Sequence, residues 1–183
     1  MEIDKKTIIE NAGKIIEHSG TEALTVTTLL QELNVSENEL SHIIQKDEDI
    51  FLILFNGLEQ ELSKLVDEFT HKNLSPDIKL QELFKRLYTL FKLKPFFLSI
   101  VFDDNLMARH DQMKKSFARI RNIAEIYLCK LIDEGKADST FKIKQSTQLL
   151  VDGILSSFQL LMKDEQIINE MIRKLVALRN KED

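Results

Sequence analysis

The sequence predicts an all-α protein of about nine helices: an N-terminal three-helix helix-turn-helix domain followed by a larger helical domain. Three observations predict it. The 183 residues hold only five glycines and two prolines, too few breakers for a turn-rich β architecture. Apolar residues recur at the three-and-four spacing of a buried helix face along almost the whole chain. Serine, threonine, asparagine and glycine punctuate these runs where helices must start and stop.

Taken in order, the first helix runs from about Asp4 to Ser19, with Ile8, Ile9, Ala12, Ile15 and Ile16 on one face and Gly20 as its stop. A short second helix follows Thr25, a good N-cap, and turns Leu29, Leu30 and Leu33 inward. In Leu33-Asn34-Val35-Ser36, Asn34 can take the left-handed conformation that closes one helix. Ser36, followed three residues later by Glu39, fits a capping box that opens the next. The third helix then spans Glu37 to about Ile44, with Leu40 and one of Ile43 or Ile44 facing inward. Two short helices joined by a tight turn behind a longer one make a helix-turn-helix unit.

A long fourth helix begins near Lys46 to Glu48 and reaches about Lys72, carrying the stripe Ile50, Leu54, Leu58, Leu62, Leu65 and Phe69. Asn73-Leu74-Ser75-Pro76 breaks it, and Ser75 with Pro76 restarts the chain for a fifth helix to about Lys92. Pro95 opens a short sixth, and a seventh runs from about Arg109 to Glu134, ending near Gly135. Beyond the polar loop Lys136 to Thr140, the last two helices span about Lys142 to Met162 and Asp164 to Asn180.

Composition narrows the function classes. The single Cys129 excludes an internal disulfide and a Cys-rich zinc site, and reads as a small buried hydrophobe in a reducing cytoplasm. Met1 leads directly into the charged run Glu2, Asp4, Lys5 and Lys6, so no secretory signal is expected. No apolar stretch approaches the roughly 20 residues that span a bilayer, so no membrane partner is expected. An enzyme is not expected either, because there is no Gly-rich phosphate loop, no nucleophile elbow and no histidine pair at metal spacing. No cofactor and no metal ligand set follow from the residues. Net charge is −5, unevenly spread: residues 1–50 hold four cations, Lys5, Lys6, Lys14 and Lys46, against eleven anions. Nucleic-acid binders normally show the reverse, since neutralising phosphates supplies much of their affinity.

The series Ile8-Ile9-x-x-Ala12, Gly20, Leu24-Thr25-Val26, Leu33-Asn34-Val35-Ser36, Leu40 and Asp49-Ile50-Phe51 resembles the N-terminal domain of TetR-type transcriptional regulators. The stretch Leu131 to Phe141, then an amphipathic helix with Gly153, is similar to a later passage of the same family. The resemblance implies a DNA-binding domain over residues 1–50 and a ligand-binding and dimerisation domain over 51–183. It implies a ligand-responsive repressor whose homodimer sets two recognition helices into successive major grooves of a double-stranded operator. Candidate DNA contacts are then Thr25, Thr27, Ser36, Glu37, Asn38, Ser41, His42, Gln45 and Lys46. The head departs from the family in acidity: Asp47 stands where a phosphate-binding lysine is usual, and Ser41 where an aromatic is usual. Glu37 and Glu39 lie in the first turn of the recognition helix, where a carboxylate accepts from cytosine or simply serves the helix start. The alternative reading is a ligand- or protein-binding module of the same fold with weakened or lost DNA binding.

In the larger domain Phe84, Tyr88, Phe91, Phe97, Phe102, Met113, Phe117, Tyr127 and Phe158 are the candidate lining of a pocket for a small apolar or amphipathic ligand. Asp103, Asp104, Arg109 and His110 form a polar cluster that could orient such a ligand's polar end or lie in a solvated loop. The candidate dimer interface is Leu150, Gly153, Ile154, Ser157 and Leu161, with Ile168, Met171, Leu175 and Leu178.

Overall fold

The computed structural model describes residues 3–176, and the regular structure of those residues is entirely helical. In order come α1 (Lys5–Ser19), a 3-10 turn (Thr21–Ala23), α2 (Val26–Leu33), α3 (Glu37–Leu40), α4 (Asp47–His71), α5 (Pro76–Leu93) and α6 (Phe96–Val101). The rest are α7 (Asp104–Arg109), α8 (Asp111–Ala137), α9 (Thr147–Ser156), α10 (Phe158–Leu161) and α11 (Glu165–Val176). The chain divides into two compact units. One holds the chain up to Glu61 together with Phe91–Ile120; the other holds Leu62–Leu90 and the chain from Arg121 onward.

In the first unit each helix end has a local cause. The Asp4 carboxylate accepts the Thr7 N–H at 2.7 Å and opens α1. Gly20 closes it at φ 83°, a conformation that favours glycine, with its N–H on the Ile16 carbonyl at 2.9 Å. Between them Ile8, Ala12 and Ile16 form the buried face, and Gly13 sits where α6 comes close. A Cβ on Gly13 would fall 2.5 Å from the Phe96 ring, so the missing side chain is what lets Phe96 lie against α1. Asn34 ends α2 in the left-handed conformation (φ 53°, ψ 49°), as its position in the turn predicts. The expected capping box is also present, with the Glu39 carboxylate accepting both the N–H and the hydroxyl of Ser36, at 2.9 and 2.7 Å. The stripe of α4 is buried at Ile50, Leu54, Leu58, Leu62 and Phe69.

Several boundaries differ from expectation. α3 ends at Leu40 rather than near Ile44, although the Ile44 N–H still reaches the Leu40 carbonyl at 2.9 Å. Ile44, not Ile43, is the buried member of that pair. Asp103 accepts the Leu106 N–H at 2.9 Å and thereby opens a separate helix, α7, ahead of α8. In the second unit, Gly135 does not stop α8. A Cβ there would fall 2.1 Å from the Phe141 ring, so glycine serves the returning chain, whose Phe141 N–H bonds the Gly135 carbonyl at 2.8 Å. The chain turns at Ser139 (φ 64°). α9 begins at Thr147 rather than near Lys142, because Ser146 caps it and the Lys136 ammonium holds the Gln145 carbonyl at 2.6 Å outside the helix. Ser157 separates α9 from α10, which the sequence reads as one helix. The predicted final stretch to Asn180, Leu178 included, passes beyond the described residues.

Candidate functional site

The helix-turn-helix is built from α2, the turn Asn34–Ser36 and α3, backed by α1. Of the nine predicted contact residues, Thr27, Ser36, Glu37, Asn38, Ser41, His42, Gln45 and Lys46 are exposed and Thr25 is half-buried. Some of their polar groups are already engaged. The Thr25 hydroxyl accepts the Thr28 N–H at 3.1 Å as the α2 cap, and the Ser41 hydroxyl donates to the Asn38 carbonyl at 3.2 Å. The Ser36 hydroxyl donates to Glu39. That hydroxyl, and then the Ser36 N–H, hold the Glu39 carboxyl below the ordinary carboxylate range.

Beside these exposed groups the head answers its own helix starts with carboxylates. Asp47 accepts the Val26 N–H at 2.6 Å, which places an anion at the N-terminus of α2. Asp49 accepts the Gln45 and Lys46 N–H groups at 2.9 and 3.1 Å. The Lys46 ammonium lies 2.5 Å from the Glu48 carboxylate, a hydrogen bond that raises its pKa. Lys14 of α1 pairs with Glu32 of α2 at 3.8 Å. Sequence reasoning found the Glu39 cap because its partner is three residues away. It missed the Asp47 cap, whose partner lies 21 residues earlier and which local pattern cannot reveal.

Two members of the polar cluster, Asp103 and His110, engage groups of the head. Asp103 accepts the Thr21 hydroxyl as well as the Leu106 N–H, and His110 approaches Glu48 at 3.8 Å. Thr21, Thr25, Asp47, Phe51, Asp103 and His110 line a small cleft of about 140 Å³ within this unit. The Arg109 side chain lies outside the described residues.

The nine predicted pocket residues are shared between the units. In the first, Phe91, Phe97 and Met113 are buried, and Phe97 meets Phe96 with ring centroids 4.5 Å apart. Phe117 is half-buried there. Phe102, at the C-terminal end of α6, is an exposed side chain rather than a buried lining. In the second unit Phe84 and Tyr127 are buried, while Tyr88 and Phe158 are half-buried.

The predicted dimer residues differ in exposure. Ile154, Leu161, Ile168 and Leu175 are buried within the chain itself and belong to its own core. Leu150 and Met171 are half-buried, and Gly153 and Ser157 are exposed. The apolar side chains that the second unit leaves to solvent around α8–α10 are Ile126, Leu149 and Leu160, at 61%, 62% and 54% exposure. Gln148 joins the two longer helices, donating to Glu125 at 2.8 Å and accepting from the Cys129 thiol at 3.8 Å. Ile126 and Leu149 directly follow Glu125 and Gln148 in sequence. Sequence periodicity gives no sign of Ile126, which adjoins the buried pair Tyr127 and Leu128.

No protein-family model matches the chain, and no curated protein matches it in sequence. Solved structures do. The chain superposes on the TetR-family regulator PfmR from Thermus thermophilus with a TM-score of 0.76, at 17% identity, over 96% of this chain and 99% of that one. A TetR/AcrR-family regulator from Thermobifida fusca gives 0.72 at 11% identity, over 98% of both chains. The regulator FadR from Bacillus subtilis, solved in complex with stearoyl-CoA, gives 0.74 at 18% identity, over 94% of this chain and 98% of that one. The fold is that of TetR-type transcriptional regulators over nearly the whole chain. No helix of the described residues is long and apolar enough to cross a membrane.

Proposed function

We propose that this chain is a TetR-type transcriptional regulator, a homodimer that grips double-stranded operator DNA through α2 and α3 and releases it on binding an acyl ligand. The observation that carries the reading is the helix-turn-helix itself: its caps, its left-handed Asn34 and its exposed polar row on α3 stand in a fold shared end to end with such regulators. The ligand class follows from the neighbours, among which are the fatty acid degradation regulator FadR of Bacillus halodurans and the Bacillus subtilis FadR with stearoyl-CoA. A second copy would cover Ile126, Leu149 and Leu160, with Gly153, beside which nothing lies within 4 Å, allowing close helix approach.

A second reading is favoured by the carboxylates of the head. Asp47, Asp49 and Glu39 occupy the helix starts, and Glu48 engages Lys46, so a phosphate backbone meets negative charge. On this reading the head keeps the fold without gripping DNA. Fluorescence anisotropy of the purified protein, titrated at low salt against the DNA upstream of its own gene with and without stearoyl-CoA, separates the two. Saturable binding that stearoyl-CoA reverses supports the regulator. Binding no tighter than to unrelated DNA supports the module that has lost its operator.

A further inference from the structure

The second unit buries one polar atom for which the described residues offer no partner: the hydroxyl of Tyr127 on α8. The side chain is 6% exposed. Buried donors are almost always satisfied, because an unmet hydroxyl loses its hydrogen bonds to water and gains nothing in return. A phenylalanine would fill the same space without that loss, so the hydroxyl calls for a partner beyond the described residues.

We propose that Tyr127 is the polar anchor of the ligand site, its hydroxyl donating to the carbonyl oxygen of an acyl ligand whose hydrocarbon body lies in the apolar interior of this unit. The inference rests on the acyl reading above and names the residue that holds the ligand's acyl carbonyl. Tyr127 shares the inner face of α8 with Leu131, one turn on, and the same unit buries Leu80, Leu83, Phe84 and Leu87 along α5. Lys79 of α5 and Glu134 of α8 approach to 3.9 Å, so the two helices bearing these side chains are neighbours. Burial, with a smaller contribution from Glu134, pushes the phenol pKa up to about 12, so the group stays protonated and acts as a donor. A donor in apolar surroundings selects a ligand with an acceptor oxygen and little else that is polar there, which describes a fatty acyl carbonyl.

The test is Tyr127→Phe in the full chain, measured against the unaltered protein with stearoyl-CoA and with stearic acid as separate probes. The expected result is an unliganded melting temperature equal to or above that of the unaltered protein, and a roughly tenfold weaker affinity, by calorimetry, for whichever probe binds. The two arms tell a thioester carbonyl from a free acid. The chain has no tryptophan, two tyrosines and eleven phenylalanines, so the long-wavelength edge of its near-ultraviolet absorption reports tyrosine. Ligand binding should give a red-shifted tyrosine difference band that the variant lacks. Equal affinity in the variant overturns the anchor while leaving the acyl reading in place, the outcome expected if only a water meets the hydroxyl. A melting temperature several degrees lower without ligand also overturns it, because the hydroxyl would then have a partner in the protein. Failure of the unaltered protein to bind either probe overturns the anchor and the acyl reading together.

Discussion

The carboxylate of Asp47 stands 2.6 Å from the backbone nitrogen of Val26, so the start of α2 already holds an anion of this chain's own. A helix start is a natural place for a phosphate, since its free N–H groups and its dipole both favour negative charge. Here that place is taken.

Replacing the occupant should change both stability and nucleic-acid affinity, in opposite directions. Asp47→Lys removes a cap worth about 1 kcal/mol and supplies a cation in its stead. Unfolding in urea should show the loss. Anisotropy should show tighter binding to duplex DNA, with a slope of log affinity against log salt steeper by about one. Unchanged affinity at low salt would show that the Asp47 charge does not limit contact with DNA.

Acid should dissolve a second cap. Hydrogen bonds from the Ser36 hydroxyl and then its N–H hold the Glu39 carboxyl below its ordinary 4.5. The folded value is therefore the lower one. The stabilisation is present above the unfolded value and is lost as pH falls through the folded value. Glu39→Ala should lower the melting temperature at neutral pH, and the gap to the unaltered protein should close in strong acid. A gap that stays constant from neutral to acid pH would remove the charged cap from the account.

The exposed pair Ile126 and Leu149 tests the assembly. Both are more than half exposed, so Ile126→Asp and Leu149→Asp should leave helical content by circular dichroism unchanged. Light scattering should find the doubled mass of a dimer in the unaltered protein and the mass of one chain in the variants. A dimer that survives both substitutions places the contact elsewhere.

Much of the fold is legible from short-range signals. Gly20, Asn34, the Ser36–Glu39 box and the restart at Pro76 each act within a few residues of themselves, and each is where the sequence puts it. Glycine misleads when its cause is remote. Gly135 reads as a stop, but its lack of a side chain serves Phe141, and α8 continues past it. The site was less legible for the same reason. The capping partners of Val26, and the contacts of Thr21 and His110, lie tens of residues away in sequence, beyond any periodic pattern. An apolar stripe announces burial without saying whether the cover is the chain itself or another copy. At Ile154, Leu161, Ile168 and Leu175 the chain itself provides it.

The seat of Phe96 against Gly13, together with the bond from Thr21 to Asp103, bears on how the protein can be dissected. A fragment cut after Ile50 would keep the recognition helix and lose both Phe96 and Asp103. The α1 face at Gly13 would then open to water, and the Thr21 hydroxyl would lose its acceptor. The helix-turn-helix of this chain is therefore not a cassette that can be lifted out and fused to another body. The compact unit that keeps both contacts joins the chain up to Glu61 to Phe91–Ile120, two separate stretches of sequence.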